Sequence, residues 1–200
     1  MGSIAIRQDI EYWRVFCLKK RQMTIEEYKN ILGAHTIIIN NVRYQKAFPS
    51  IVEKIIKQFL VDEEIFFGFC RTDGVNLVSE QQMKLKSEIP LFFNKNGDIQ
   101  KLSEYLTVAR INLRNRDYSF IPLIFDYYLE TIMFNPKVDW EKFKQYHYNY
   151  QEHRFDDIVL KHFAEILFCY LDSGDFLICF NPQMYNPGDV RNIVVKILQG

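Results

Sequence analysis

The chain has 200 residues, of which 48% are hydrophobic and 16% aromatic, and it contains only eight glycines and six prolines. This composition excludes a disordered or low-complexity chain, and the length is enough for one domain with a substantial buried core. Because 25 basic residues balance 25 acidic ones, no net charge attracts nucleic acid or an anionic membrane.

The first hundred residues carry mostly strand signals. Runs of β-branched and aromatic residues predict strands over 12–18, 36–39, 65–71, 75–78 and 90–93. The pair Asp73-Gly74 predicts a hairpin turn between the third and fourth of these strands, and Asn96-Gly97 marks a weaker turn after the fifth. For the first strand, a helix that begins near Asp9 is the alternative.

Two helices are predicted in the same half of the chain. Thr24 and Glu27 form a capping box before apolar residues at helical spacing, which predicts a short helix over 25–32. Pro49 then opens a segment whose apolar residues form one helical face, which predicts a helix from 49 to about 61.

Helical spacing predominates in the second half. Apolar residues at this spacing predict helices over 102–115 and 118–134. Asp139 and Asp156 are candidate N-caps of two further helices, the second of which covers 157–171.

A buried strand near 176–180 and a helix that begins at Pro187 close the chain. Together the elements predict a single α+β domain over 1–200, with a strand-rich N-terminal half packed against a helix-rich C-terminal half. A boundary near 98–101, where strand signals give way to helical ones, is the alternative. Neither half alone shows a complete pattern, which favours one domain.

Several features indicate a cytoplasmic protein that does not enter a membrane. The N-terminus lacks the pattern of a secretory signal. The most apolar stretch, 120–134, is about 15 residues long and contains two acidic residues, whereas a membrane-spanning helix needs roughly 20 apolar residues. The four cysteines lie far apart in apolar surroundings without a Cys-x-x-Cys pair, so we expect buried free thiols in a reducing compartment.

The densest polar cluster is the aromatic-acidic segment, residues 146–157, which contains three tyrosines and three acidic residues. Tyrosine provides contact area with few rotatable bonds, and clustered carboxylates attract a basic surface. We therefore expect a non-catalytic protein-binding domain, a stoichiometric inhibitor such as a bacterial toxin-immunity protein whose partner is a basic toxin domain. A solvated helix cap without a partner is the simpler reading. The expected contact residues are Tyr146, Tyr148, Tyr150, Glu152, Asp156 and Asp157.

The same segment supports a second hypothesis, a small hydrolase or nucleic-acid-processing enzyme. On a helix extended back to residue 153, His153 and Asp157 share one face, as a base and its orienting carboxylate require. Arg110 and Arg114 lie one turn apart on their predicted helix, and with Arg116 nearby they could hold a phosphate. Replacing His153 with Ala would abolish this activity and leave inhibitor binding nearly intact.

Familiar catalytic motifs do not occur in the sequence. We find no nucleophile elbow, no phosphate-binding loop and no His-Glu-x-x-His metal motif, so we expect neither a cofactor nor a metal. An active site assembled from distant residues is not excluded by this. A structural subunit that uses the same aromatic residues in a permanent interface is the third class of function.

Overall fold

The computed structural model describes residues 11–18, 23–29, 35–40, 47–70, 99–101, 106–113, 116–121, 131–145, 159–170 and 175–200. These residues form a mixed α+β fold built on an antiparallel sheet. The strands are β1 (Glu11–Leu18), β2 (Met23–Lys29), β3 (His35–Ile39), β4 (Glu64–Cys70), β5 (Ile99–Lys101), β6 (Leu106–Asn112), β7 (Thr131–Phe134), β8 (Ile166–Tyr170) and β9 (Phe176–Phe180). The helices among them are α1 (Phe48–Phe59), α2 (Trp140–Lys144) and α3 (Pro187–Gln199), and a π-helical turn, the π-turn, spans Val159–Phe163.

The sheet order is β1-β2-β3-β9-β8-β7-β4-β6-β5, and every described pairing is antiparallel. Strands β8 and β9 from the end of the chain therefore lie between β3 and β7. All residues of β7, β8 and β9 are buried. A strand of this kind has both faces covered, which is why its sequence is a continuous apolar run without polar alternation.

Helices α1 and α3 cover the first face of the sheet and contact each other. In α3 the buried residues Val190, Val194 and Leu198 recur every fourth position, as an amphipathic helix requires. Asn186 caps the start of this helix, because its side-chain oxygen accepts hydrogen bonds from the backbone N–H groups of Gly188 at 2.9 Å and Asp189 at 3.3 Å. Two long helices thus bury one side of the central strands.

Shorter elements cover the second face. Trp140 and Phe143 of α2 and Phe163 of the π-turn pack on the sheet beside Phe66 of β4. The Phe143 ring lies 4.8 Å from the ring of Phe66 and 5.1 Å from that of Phe163, measured between centroids. We call these four rings the aromatic cluster; it joins both short elements to the middle of the sheet.

Many predicted elements are confirmed. The strands expected at 12–18, 36–39, 65–71 and 176–180 and the helices expected at 49–61 and after Pro187 are all present within a few residues of the predicted bounds. Asp139 caps α2, since its side chain accepts a hydrogen bond from the Lys142 N–H at 2.8 Å. Cys169 and Cys179 are buried thiols that form no disulfide, as expected, and the Thr36 hydroxyl donates a hydrogen bond to the Cys179 sulfur at 3.5 Å.

The helix predicted over 25–32 is wrong, because residues 23–29 form the strand β2. Residue Ile25 pairs with Phe16 on one side and Ile39 on the other. Backbone pairing along two edges of β2 overrides a local capping signal that is worth about 1 kcal/mol.

Three helices predicted in the second half are also corrected. Strand β6 lies within the predicted helix 102–115, strand β7 ends the predicted helix 118–134, and strand β8 ends the predicted helix 157–171. Strands β7 and β8 are buried on both faces, and β6 has buried apolar residues on each face. A short apolar run of this kind fits helical spacing as well as it fits a buried strand. The predicted division into a strand-rich and a helix-rich half is not confirmed.

Some predicted elements lie outside the described residues. These are the strands over 75–78 and 90–93 and the turns at Asp73-Gly74 and Asn96-Gly97. Strand β4 pairs with β6 along one edge and with β7 along the other. Over residues 66–69 both edges of β4 are therefore occupied by strands other than 75–78.

Candidate functional site

Helix α2, which forms one side of the candidate site, is fixed to the sheet by aromatic contacts. Trp140 and Phe143 are buried, while Glu141 and Lys142 between them are exposed. The Trp140 ring meets the Phe66 ring edge to face, with centroids 5.0 Å apart. A helix of five residues is too short to persist alone, so the aromatic contacts and the Asp139 cap hold it in place.

The π-turn lies beside α2 on the same face. Its backbone closes through a hydrogen bond from the Ala164 N–H to the Val159 carbonyl at 2.8 Å, and the Lys137 N–H donates to the Phe163 carbonyl at 2.7 Å. The second bond ties the chain before α2 to the end of the turn. Wide turns of this type often occur at functional sites, because the extra residue redirects a side chain.

A cleft of about 300 Å³ lies between the two elements, lined by Val138, Lys142, Gln145, His162 and Phe163. Phe163 is buried, whereas Lys142, Gln145 and His162 are exposed. The cleft therefore has an apolar wall and a rim of groups that can donate hydrogen bonds.

The charges near the cleft are unevenly paired. The Lys144 ammonium lies 2.8 Å from a Glu141 carboxylate oxygen, and the Lys137 ammonium lies 2.5 Å from one of Glu165. Lys142 makes no ion pair with any carboxylate of the described residues. Of these three lysines, Lys142 is therefore the one whose ammonium is available to a ligand.

The two elements that form the cleft flank the aromatic-acidic segment in the sequence. Gln145 is the last described residue before this segment, and the described chain resumes at Val159, the first residue of the π-turn. The predicted contact residues themselves lie outside the described residues. They are Tyr146, Tyr148, Tyr150, Glu152, Asp156 and Asp157.

The alternative catalytic residues are not brought together by the described part of the chain. Arg110 lies in β6, where it pairs with Phe66, so it is not on a helix with Arg114 as its neighbour one turn away. Arg114, His153 and Asp157 lie outside the described residues.

Arg116 has a role that the sequence does not signal. Its guanidinium donates hydrogen bonds to the Lys57 carbonyl and, at 3.0 Å, to the Leu60 carbonyl at the C-terminus of α1. Cations stabilise this end of a helix because its carbonyls are unpaired and carry partial negative charge. Arg116 also has a φ of 53°, in the left-handed region, so its backbone is strained to place the side chain there. Arg116 was named beside the predicted phosphate-holding arginines, and the structure shows its guanidinium bound to these backbone carbonyls.

Two tyrosines have shifted pKa values at this end of the sheet. Burial raises the pKa of Tyr118, although the nearby Arg116 opposes the shift. Burial also raises the pKa of Tyr185, and the carboxylates of Glu165 and Asp62 add to that effect. Both phenols are therefore favoured in their neutral form.

Comparisons with known proteins give no match from which a function could be inferred, so the function is argued from the residues of this chain. No family model matches the chain, and neither does any curated protein or solved structure. Among the described residues, no helix is long and apolar enough to cross a membrane, and no three His, Cys, Asp or Glu side chains are grouped to hold a metal ion.

Proposed function

We propose that this chain is a non-catalytic protein-binding protein of the cytoplasm, a stoichiometric inhibitor of the toxin-immunity type. Its contact surface would be the aromatic-acidic segment. The observation that supports this function is that the two described elements flanking the segment, α2 before it and the π-turn after it, both pack into the aromatic cluster.

Anchoring favours binding for an entropic reason. A segment whose ends are held by a rigid scaffold has less conformational freedom to lose when it meets a partner. The aromatic cluster is buried as part of the core on this face of the sheet, and it holds α2 and the π-turn against the strands. Binding residues are commonly displayed in this way, between rigid elements.

The charge of the segment indicates the kind of partner. Residues 146–157 contain three acidic residues and one arginine, with three tyrosines among them. A basic protein surface would be attracted by the carboxylates, which mainly raises the rate of association. Tyrosine rings would then supply the contact area that slows dissociation. A basic toxin domain fits both requirements.

Charge reversal tests this proposal with a matched control. Wild-type protein bound to a resin is expected to retain one protein from the native host at one-to-one stoichiometry. We expect Asp156→Lys with Asp157→Lys to slow its association by about tenfold or more at low salt, because electrostatic steering is lost. The control is Asp62→Lys with Glu63→Lys, an adjacent and exposed acidic pair between α1 and β4.

The two double variants change the net charge equally, so only the position of the change differs. The control should associate as fast as the wild type. If both variants slow association alike, overall charge and not this segment steers the partner. If neither does, the contact surface lies elsewhere on the protein.

A further inference from the structure

We propose that the cleft between α2 and the π-turn is a binding site for a carboxylate attached to a small apolar group. The geometry of Val138, Lys142, Gln145, His162 and Phe163 carries this inference. It does not depend on the protein-binding function, because it concerns the cleft and none of the predicted contact residues.

The volume of the cleft and its apolar wall indicate the size and the hydrophobic character of the uncharged part of the ligand. A volume of about 300 Å³ is at the lower end of the range for small-molecule sites. Phe163 presents a buried ring that is held from behind by Phe143, with centroids 5.1 Å apart. Val138 completes the apolar lining, so a phenyl ring or a short alkyl chain would be removed from water here.

The polar rim sets the charge of the ligand. Lys142 has an ammonium that pairs with no carboxylate of the described residues, although Lys144 and Lys137 on either side of it are paired. The Gln145 amide adds a hydrogen-bond donor at the same cleft. A ligand carboxylate could accept a charge-assisted hydrogen bond from the ammonium and a second one from the amide.

A carboxylate is favoured over a phosphate for two reasons. Phosphate sites generally use arginine forks or several convergent backbone N–H groups, and no arginine of the described residues lines this cleft. Bare phosphate would also leave the Val138 and Phe163 surfaces uncovered.

Benzoate is the probe for the test, and ¹⁵N chemical shifts of the full-length protein are the readout. We expect saturable shifts around Lys142 and Phe163 with a dissociation constant on the order of 1 mM, as is usual for a ligand of this size. Benzyl alcohol, which lacks the charge, and acetate and inorganic phosphate, which lack the apolar body, should each bind at least about tenfold more weakly.

The variant Lys142→Gln should weaken benzoate binding about tenfold, because a charge-assisted hydrogen bond is lost. Lys142 is exposed, so the variant should fold normally. The control is Lys196→Gln, an exposed lysine on α3 across the sheet, which should bind benzoate as the wild type does. Equal affinities in the wild type and Lys142→Gln, or shifts that do not saturate, would overturn the proposal.

A second arm identifies the source of the carboxylate and rests on the proposed function. Saturating benzoate should release a captured partner if an acidic group of that partner occupies the cleft. It should leave the partner bound if the natural ligand is a free acid. Benzoate binding without any captured partner supports the cleft and contradicts only the protein-binding function, so the two proposals fail separately.

Discussion

Replacing Phe143 with Ala should destabilise the protein and test the contacts that hold the candidate site. Phe143 is fully buried, and its ring contacts those of Phe66, Phe163 and Trp140 at 4.8, 5.1 and 5.7 Å. The substitution removes a whole ring from between the sheet, α2 and the π-turn. The ring of Phe143 therefore joins both described elements that flank the aromatic-acidic segment to the sheet.

The magnitude follows from burial and from the ability of the site to collapse. Truncation of a buried Phe to Ala generally costs about 3–5 kcal/mol. Helix α2 has only five residues and is exposed on its outer side, so it can relax toward the cavity. We therefore expect a loss of about 3–4 kcal/mol, which for 200 residues corresponds to a melting temperature lower by roughly 10 °C.

Urea denaturation of the wild type and the variant measures this loss as a change in midpoint at a constant slope. The control is Phe143→Leu, which retains most of the apolar volume and should lose about 1–1.5 kcal/mol, chiefly the ring contacts. A loss below about 1 kcal/mol for Phe143→Ala would show that Phe143 is not buried against the sheet, because no fully buried Phe is removed so cheaply.

Two further predictions concern the other end of the molecule. Arg116→Ala should destabilise the protein by about 1.5–3 kcal/mol in urea denaturation, because two charge-assisted hydrogen bonds to the C-terminus of α1 are lost. It should also speed amide hydrogen exchange at Leu60. A change in the free energy of unfolding of less than about 0.5 kcal/mol would contradict this role of Arg116. Burial raises the pKa of Tyr118 in the folded protein above its ordinary value of 10.0, which applies to the unfolded chain. As the pH rises above 10, the unfolded chain therefore loses this proton before the folded protein does, and the free energy of unfolding should decline. Tyr118→Phe should make that decline shallower in urea titrations between about pH 8 and 11.5, and an unchanged slope would contradict the assignment.

The sequence predicts an element well where one local signal has no competitor. Helix α1 has an apolar face that repeats over three turns after Pro49, and α3 has the same pattern after Pro187. Strands β3 and β9 are runs of β-branched and aromatic residues bounded by Asn. In each case period, composition and boundary residues indicate the same structure.

The failures in the second half of the chain have one physical cause. In β6, Val108 faces the second side of the sheet, while Ala109 and Ile111 face the first, so apolar residues occur on both sides. Strand β8 is buried at every position. Such runs carry no period of two, and the choice between strand and helix is made by pairing partners that are distant in sequence.

Part of the candidate site can likewise be predicted from the sequence, and part cannot. The aromatic-acidic segment is visible in the sequence because its polar and aromatic residues are contiguous. The cleft is not visible, because it brings Val138 and Lys142 beside His162, about twenty residues later in the chain. The packing of Phe143 on Phe163 and the hydrogen bond from the Lys137 N–H to the Phe163 carbonyl bring these stretches together, and no local pattern encodes these contacts.

The helices on the two faces of the sheet bury different numbers of residues, and this difference indicates which face can carry a binding segment. Helix α1 alone buries six residues on the first face, whereas α2 and the π-turn bury two each on the second. The elements that flank 146–157 therefore supply a small part of the described core, and we expect α1, α3 and the sheet between them to retain their packing when residues of 146–157 are changed. A partner-binding segment requires this separation, because its residues are selected for contact with another molecule and not for stability. The second face, with its short anchors and its cleft, is the part of this fold where such a segment can vary at the least cost to folding.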